Sequence, residues 1–280
     1  MKRIIEALRR SFEKFRATSP VRKSIPGYAE FPLTLCVRFD SNEFYPKSFY
    51  RLVRQHAADL KVAHDVELEE HERERVSLDY LVDKYELTGD SQEKVRMAGI
   101  RSTVMHVGER ARSASLEIDG DRHLISTADQ WVRLVSSVPS FLQAYLIDRE
   151  FDYWQNNTYL SSYENFGRST KNLHTKSTGL PHPCLQWEVD TSDHPGRRLR
   201  NFPFDKAVAS QMWFSDRFWS MVGKTREGIE NEFSRSRVEH FAPSVCKITT
   251  GSQPFTDRAP PELLEELRQR LYDDRLTANP

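Results

Sequence analysis

The residues best equipped for chemistry fall into three groups. His64 and His71 flank Glu67, Glu69, Glu70 and Glu72, and imidazoles and carboxylates in one segment are metal-ligand types. On a helix the two histidines stand two turns apart, about 10 Å at ~1.5 Å per residue, too far for one ion. Neither HExxH nor a histidine pair at i, i+4 occurs there. The second group is His174, His182, Cys184 and His194. A zinc site needs four ligands at tight spacing, commonly with a CxxC pair, and these four are scattered. Cys184 would need a histidine base to act as a nucleophile; His182 lies two residues away, and nothing else along the chain supports the pair. Third come Arg197, Arg198 and Arg200, just after Pro195-Gly196. Their guanidinium groups either hold a phosphate or carboxylate or sit on a turn facing surface acids. The sequence has no GxGxxG, no GxxxxGK[ST] and no GxSxG, so nucleotide-binding and hydrolase readings have no motif behind them. The expectation is a protein without catalytic residues, metal or cofactor.

The elements that would position these groups follow from periodicity. Ile4, Ile5, Leu8, Phe12 and Phe15 recur at helical spacing between Lys and Arg residues. Residues 2–16 therefore read as an amphipathic helix, which either docks on the core or lies on a membrane. Phe31–Phe39 is a strand, 49–60 a helix and 76–86 a helix. Between them, Asp65, Glu67, Glu69, Glu70, Glu72 and Glu74 stand against one Arg, an acidic run expected on a solvated helix face. Ile100–Val107 and Ala114–Ile118 alternate as strands, and His123–Ile125 follows a turn. A helix capped by Ser126 or Thr127 carries Trp131, Leu134 and Val135. A second helix is expected from Ser140 to Trp154, then loop over 156–183, and a short strand from Leu185 to Asp190. A turn follows at Asp193–Arg198, then a strand over Val208–Phe214. Ser215 caps a helix under Phe218, Trp219 and Val222. Val245–Thr249 is a strand, and Pro260-Pro261 opens a last helix over Glu262–Tyr272. Strands and helices do not alternate as βαβ units. The expected fold is α+β, a mixed or mainly antiparallel sheet with helices packed on it. It forms a single compact unit over residues 1–280, two-lobed with a change of character near residue 155.

Bulk composition narrows the function classes. The chain has 280 residues, 38% hydrophobic and 29% charged, with 16 Phe, 10 Tyr and 5 Trp. That aromatic content argues against disorder. Formal net charge is zero, from 41 basic and 41 acidic residues, whereas a dedicated nucleic-acid binder carries a basic surplus. The charge is uneven: residues 1–25 hold eight Lys/Arg against two Glu. Cys36, Cys184 and Cys246 are odd in number and widely spaced, which argues for a reducing compartment rather than a disulfide framework. No apolar run approaches the ~18 residues of a membrane helix, and the opening residues lack the apolar stretch of a secretory signal. A cytoplasmic protein is expected, with no nucleic-acid or membrane partner. The tryptophans, Trp131, Trp154, Trp187, Trp213 and Trp219, are expected in the core; any found exposed would mark an interface.

The second half carries a cadence. Phe151-Asp152-Tyr153-Trp154-Gln155-Asn156 leads to Tyr163-Glu164, Gly167-Arg168, Asn172-Leu173 and Gly179-Leu180-Pro181. Val189-Asp190-Thr191-Ser192, Pro195-Gly196-Arg197, Met212-Trp213-Phe214 and Phe218-Trp219 complete it. Over residues 150–255 this pattern resembles the immunity proteins of bacterial polymorphic and type VI toxin systems, in particular the immunity protein 52 family. The resemblance implies a protein that is not an enzyme but an antitoxin. It would bind a cognate secreted toxin, commonly a nuclease effector acting in the cytoplasm, and neutralise it. An inhibitor of a phosphate-gripping surface often offers carboxylates, since complementary charge steers encounter. Asp65, Glu67, Glu69, Glu70, Glu72 and Glu74 are therefore the candidate partner-binding residues. Two other readings stay open. One is an enzyme with a pocket built from Trp154, Tyr163, Arg168, His182, Asp190 and Arg197; the other is a scaffold protein.

Overall fold

The computed structural model describes residues 25, 28–40, 51, 52, 54, 55, 65–68, 74–77, 79, 80, 83, 93–97, 100–107, 111–182, 184–201, 203–233 and 237–272. Side chains are described outside 65–68, 74–76, 93–97, 100–107 and 111–114. The expected helix over 2–16 lies outside the described residues, as do His64, Glu69, Glu70, His71 and Glu72.

The protein is α+β. Fourteen strands are described: β1 (Leu33–Phe39), β2 (Asp65–Leu68), β3 (Glu74–Ser77), β4 (Glu93–Met97), β5 (Ile100–Val107), β6 (Ala111–Gly120) and β7 (Phe141–Asp148), then β8 (Thr175–Ser177), β9 (Trp187–Val189), β10 (Leu199–Asn201), β11 (Phe204–Lys206), β12 (Gln211–Ser215), β13 (Val238–Ala242) and β14 (Val245–Thr249). The helices that bear on function are α1 (Leu124–Val135), α2 (Arg149–Asn156), α3 (Leu160–Asn165), α4 (Asp216–Met221), α5 (Arg226–Glu232) and α6 (Pro261–Leu271). Ten strands form one sheet in the order β13-β14-β12-β7-β1-β6-β5-β4-β2-β3, and its described pairings are antiparallel. The pairs β10-β11 and β8-β9 each form a two-stranded sheet of their own. Gly27–Asn156 and Ser192–Pro280 cluster as one unit, which contains the large sheet, whereas Asn157–Thr191 belongs to another.

Both faces of the sheet's centre are covered. On one face, Leu33, Leu35, Val37 and Phe39 of β1 join Leu116, Ile118, Phe141, Ala144, Leu146 and Trp213. Helix α1 closes this core with Leu124, Ala128, Trp131, Val132 and Val135, the three-and-four spacing of an amphipathic helix. On the other face, Tyr145, Met212 and Phe214 meet Phe218 and Trp219 of α4 and Leu264, Leu267 and Leu271 of α6. Ser215 caps α4 as its sequence suggests, its hydroxyl accepting from the Phe218 amide at 3.2 Å. Proline opens α6.

Three expectations are corrected. The stretch from Ser140 is not a helix but β7, the strand between β1 and β12. Six consecutive residues, Phe141–Leu146, are buried. A strand covered on both faces loses its alternation and reads like a buried helix. The helix begins only at Arg149, where the Asp148 carboxylate accepts from the Phe151 amide at 2.8 Å. His123–Ile125 is no strand, because α1 already starts at Leu124; Ser126 and Thr127 do not cap it but donate their hydroxyls back to the His123 carbonyl. The acidic run is not one helix face. Asp65 and Glu67 lie on β2 and Glu74 on β3, paired antiparallel with Leu68 opposite Glu74. The alternation Asp-Val-Glu-Leu is a strand period that the charge count obscured.

Candidate functional site

Strand β1 sets up the site. Its sequence alternates Leu-Thr-Leu-Cys-Val-Arg-Phe, so Thr34, Cys36 and Arg38 share the face opposite to α1. All three are buried, and buried polar groups need partners. Arg38 finds Asp205 on β11: Nε and Nη2 both lie 2.7 Å from Oδ2. Tyr145, opposite Cys36 in the β1–β7 register, donates its hydroxyl to the same oxygen at 2.5 Å. The Asp205 carbonyl accepts from Gln143 Nε2 at 3.0 Å. Burial works against the Asp205 charge, yet Arg38 and Arg198 beside it hold its carboxyl below the usual range. Burial, and then the Asp205 charge, push the Tyr145 hydroxyl well up, so it stays a donor.

Arg198 enters from the turn before β10. The end of α2 holds that turn in place. Gln155 Oε1 accepts from the Gly196 amide at 2.8 Å, and Asn156 Oδ1 from the Arg198 amide at 2.7 Å. His194 Nδ1 lies 3.1 Å from the Gln155 carbonyl oxygen. Position 196 has to be glycine, since a Cβ there would fall 2.5 Å from the Phe151 ring. So placed, Arg198 donates from Nη1 to Tyr145 Oη at 3.2 Å and to Cys36 Sγ at 3.8 Å. Its Nη2 reaches Asp152 Oδ2 at 3.2 Å. The turn does not present Arg198 to surface acids; it delivers it to carboxylates on the buried side of the sheet. Arg197 bonds the His194 carbonyl and stands 3.9 Å from Glu265, while Arg200 is exposed.

A cavity of about 160 Å³ lies over this cluster. Thr34 and Cys36 of β1 line it, with Glu117 of β6, Ile147 of β7 and Arg149 and Asp152 of α2 beside them; Tyr28 and Arg198 complete the lining. Arg149 stacks its guanidinium 4.3 Å from the Tyr28 ring centre and donates to the Phe31 carbonyl at 3.0 Å. Burial pushes the Cys36 thiol up to about 12, with Glu117 adding to it. That thiol is protonated at neutral pH, which opposes nucleophilic chemistry. Burial also raises the Asp152 carboxyl, against the opposing pull of Arg198.

A second feature lies in Asn157–Thr191. There β8 and β9 form a hairpin, with Ser177 opposite Trp187. Thr178 ties its far end, its amide donating to the Gln186 carbonyl and its hydroxyl to that of Leu185. Trp187 is 60% exposed, and Leu180 and Leu185 on the same hairpin are exposed too. Tyr159, 58% exposed, follows Thr158, whose carbonyl accepts from the Val189 amide at 2.8 Å. Trp131, Trp154, Trp213 and Trp219 are buried, so Trp187 departs from the core expected of the tryptophans. The stretch read as loop also contains α3, a helix of six residues too short and polar to show a period. It ends on Gly167 at φ 68°.

Other sequence candidates scatter. Cys184 and His182 are both exposed on the hairpin loop. Among the described residues no three His, Cys, Asp or Glu side chains group as metal ligands. The six residues of the expected enzyme pocket divide between the two units, Trp154 and Arg197 in one and Tyr163, Arg168, His182 and Asp190 in the other. Tyr163 donates its hydroxyl to the Asn157 carbonyl, and Asp190 pairs with Lys176 at 3.3 Å. Asp205 and Tyr145 were missed by sequence reasoning, because one lay in an unrecognised three-residue strand and the other inside a misread one. Among the described residues no helix is long and apolar enough to cross a membrane.

No family model matches the chain, and no curated protein matches it. A solved structure does. The fold is similar to that of the Pseudomonas aeruginosa T6SS protein PA0821, with a TM-score of 0.51 and 9% identity, covering 86% of this chain and 73% of that one. At that identity the likeness is one of fold.

Proposed function

We propose that this chain is an immunity protein that binds and neutralises a cognate toxin, a nuclease effector acting in the cytoplasm. The observation that carries the reading is the β8–β9 hairpin, on which Trp187, Leu180 and Leu185 are exposed, together with the exposed Tyr159 of the same Asn157–Thr191 stretch. Aromatic anchors of this kind dominate binding energy at protein interfaces. They fall within the stretch whose cadence resembles immunity protein 52. The fold likeness to a T6SS protein points in the same direction. The protein acts by occupancy, not by catalysis. The acidic run from Asp65 to Glu74 speeds encounter with a basic nuclease surface.

The test is co-expression with the product of the adjacent gene. Rescue of growth and co-purification of a complex are expected, both weakened by Trp187→Ala. Absence of both rescue and complex with that product overturns the reading.

A further inference from the structure

We infer that the uncharged face of the β8–β9 hairpin docks in an apolar groove of the toxin outside the cleft that grips nucleic acid, so that this contact is made at an exosite. The inference rests on the toxin-neutralising reading and names what the hairpin takes. Charge is the first argument. From Ser177 to Trp187 the chain has no Asp, Glu, Lys or Arg, although 29% of its residues are charged. The charges of the hairpin lie on its other face. Lys176 stands opposite Glu188, and Ser177 opposite Trp187, so the strand period of two puts the first pair on one face and the second on the other. Lys176 comes within 3.7 Å of Glu188 and 3.3 Å of Asp190, which already matches these carboxylates to a cation. Along the uncharged face Val189 is buried and Trp187 exposed.

The chemistry of the two possible seats decides between them. A nuclease cleft holds its substrate with lysines and arginines that neutralise phosphates. Covering such cations with Trp187, Leu185 and Leu180 takes them out of water with no carboxylate to meet them, which is strongly unfavourable. The same side chains gain most where the partner is apolar and dry, the setting in which aromatic anchors carry binding energy. Carboxylates suited to a basic surface belong to another stretch, Asp65–Glu74. Rigidity is the second argument. Besides the two bonds from Thr178, the Cys184 amide donates to the Pro181 carbonyl at 2.9 Å, and Gly179 turns the chain at φ 71°. The hairpin end therefore arrives already shaped, with little freedom to lose on docking.

The experiment is a binding titration of the full chain against the purified product of the adjacent gene, comparing Trp187→Glu with Trp187→Lys. In an apolar groove either charge is unwelcome, so both variants should weaken the complex by about thirtyfold or more and agree with each other within about threefold. On a phosphate-gripping cleft the new carboxylate would find a cation and the new ammonium a like charge, and the two would differ by about tenfold or more. Trp187 is exposed, so both variants should keep the melting temperature of the parent. Leu185→Glu and Leu185→Lys repeat the comparison at a second exposed position and serve should either Trp187 variant fail to fold. A Glu variant that binds as tightly as the parent, or tenfold more tightly than its Lys counterpart, overturns the inference while the toxin-neutralising reading stands. No complex with the unaltered chain overturns that reading, and this inference with it, before any variant is made.

Discussion

Replacing Asp205 with alanine should destabilise the protein by about 3–5 kcal/mol, the range for breaking a buried ion pair by removing one partner. The carboxylate is 2% exposed and Arg38 6% exposed. Without Asp205 the guanidinium keeps its charge but loses both 2.7 Å contacts, and Tyr145 loses its acceptor. At ~2–4 °C per kcal/mol for a chain of this class, the melting temperature falls by about 6–20 °C. Urea unfolding followed by tryptophan fluorescence measures the loss. Arg38→Met/Asp205→Leu should cost much less than the two single changes added together, because no buried charge is left unpaired. The pH dependence follows from the direction of the shift. A carboxyl held below its ordinary value contributes stability at neutral pH, and this is lost as pH falls through the lowered value. Asp152 has the opposite sign: burial raises its carboxyl, so its contribution is present at low pH and fades as pH rises through the raised value. Asp152→Asn should therefore cost less at pH 7 than Asp205→Asn, although each carboxylate touches an arginine. A loss below ~1 kcal/mol for Asp205→Ala, or a double variant as unstable as the sum, would refute the reasoning.

Four further outcomes are expected. Trp187→Ala should leave the melting temperature nearly unchanged, within the ~0.5 kcal/mol typical of surface changes, while weakening a toxin complex by about 2 kcal/mol or more in a binding titration. Gly196→Ala should destabilise by about 1–3 kcal/mol, the cost of overpacking, because its methyl meets the Phe151 ring; a thermal melt checks this. Reversing Glu67, Glu69, Glu70 and Glu72 to Lys should slow association with the toxin and reverse its salt dependence in stopped-flow measurements. With a thiol-reactive dye near pH 8, exposed Cys184 should react quickly, while Cys36 and Cys246 react only on unfolding. Both of these are buried, and burial pushes their thiols up to about 12 and about 11.

Elements with a local signal were legible in the sequence. β-Branched and aromatic content marked β1, alternation marked β5 and β6, the Ser215 cap marked the start of α4, and Val245–Thr249 matched β14. What failed had its signal supplied from elsewhere. The burial of β7 on both faces comes from α1 on one side and α4 on the other. The strands β10 and β11 hold only three residues each and exist because the turn before them is clamped by α2. The arginine cluster was visible as a cluster. That Arg198 turns inward depends on Gln155 and Asn156, about 40 residues earlier, and on a glycine that lets two segments touch. Asp205 gives no sign in the sequence that it will meet Arg38, because the pair is joined only when β11 crosses the face of β1.

The position of β1 has a consequence for how the molecule forms. It is the earliest described strand, yet its two neighbours are β6 and β7, whose paired residues lie about 75 to 115 positions further along. β7 in turn waits for β12, some 65 residues later. Contacts of such long sequence separation make folding slow. During synthesis the Leu-Thr-Leu-Cys-Val-Arg-Phe segment must leave the ribosome and stay unpaired until both flanking strands follow. For that interval it is an apolar ribbon with two open edges, the kind of segment that seeks a partner in another chain. Arg38 is the one charge in that segment, and a charged side chain on an open strand disfavours edge-to-edge pairing.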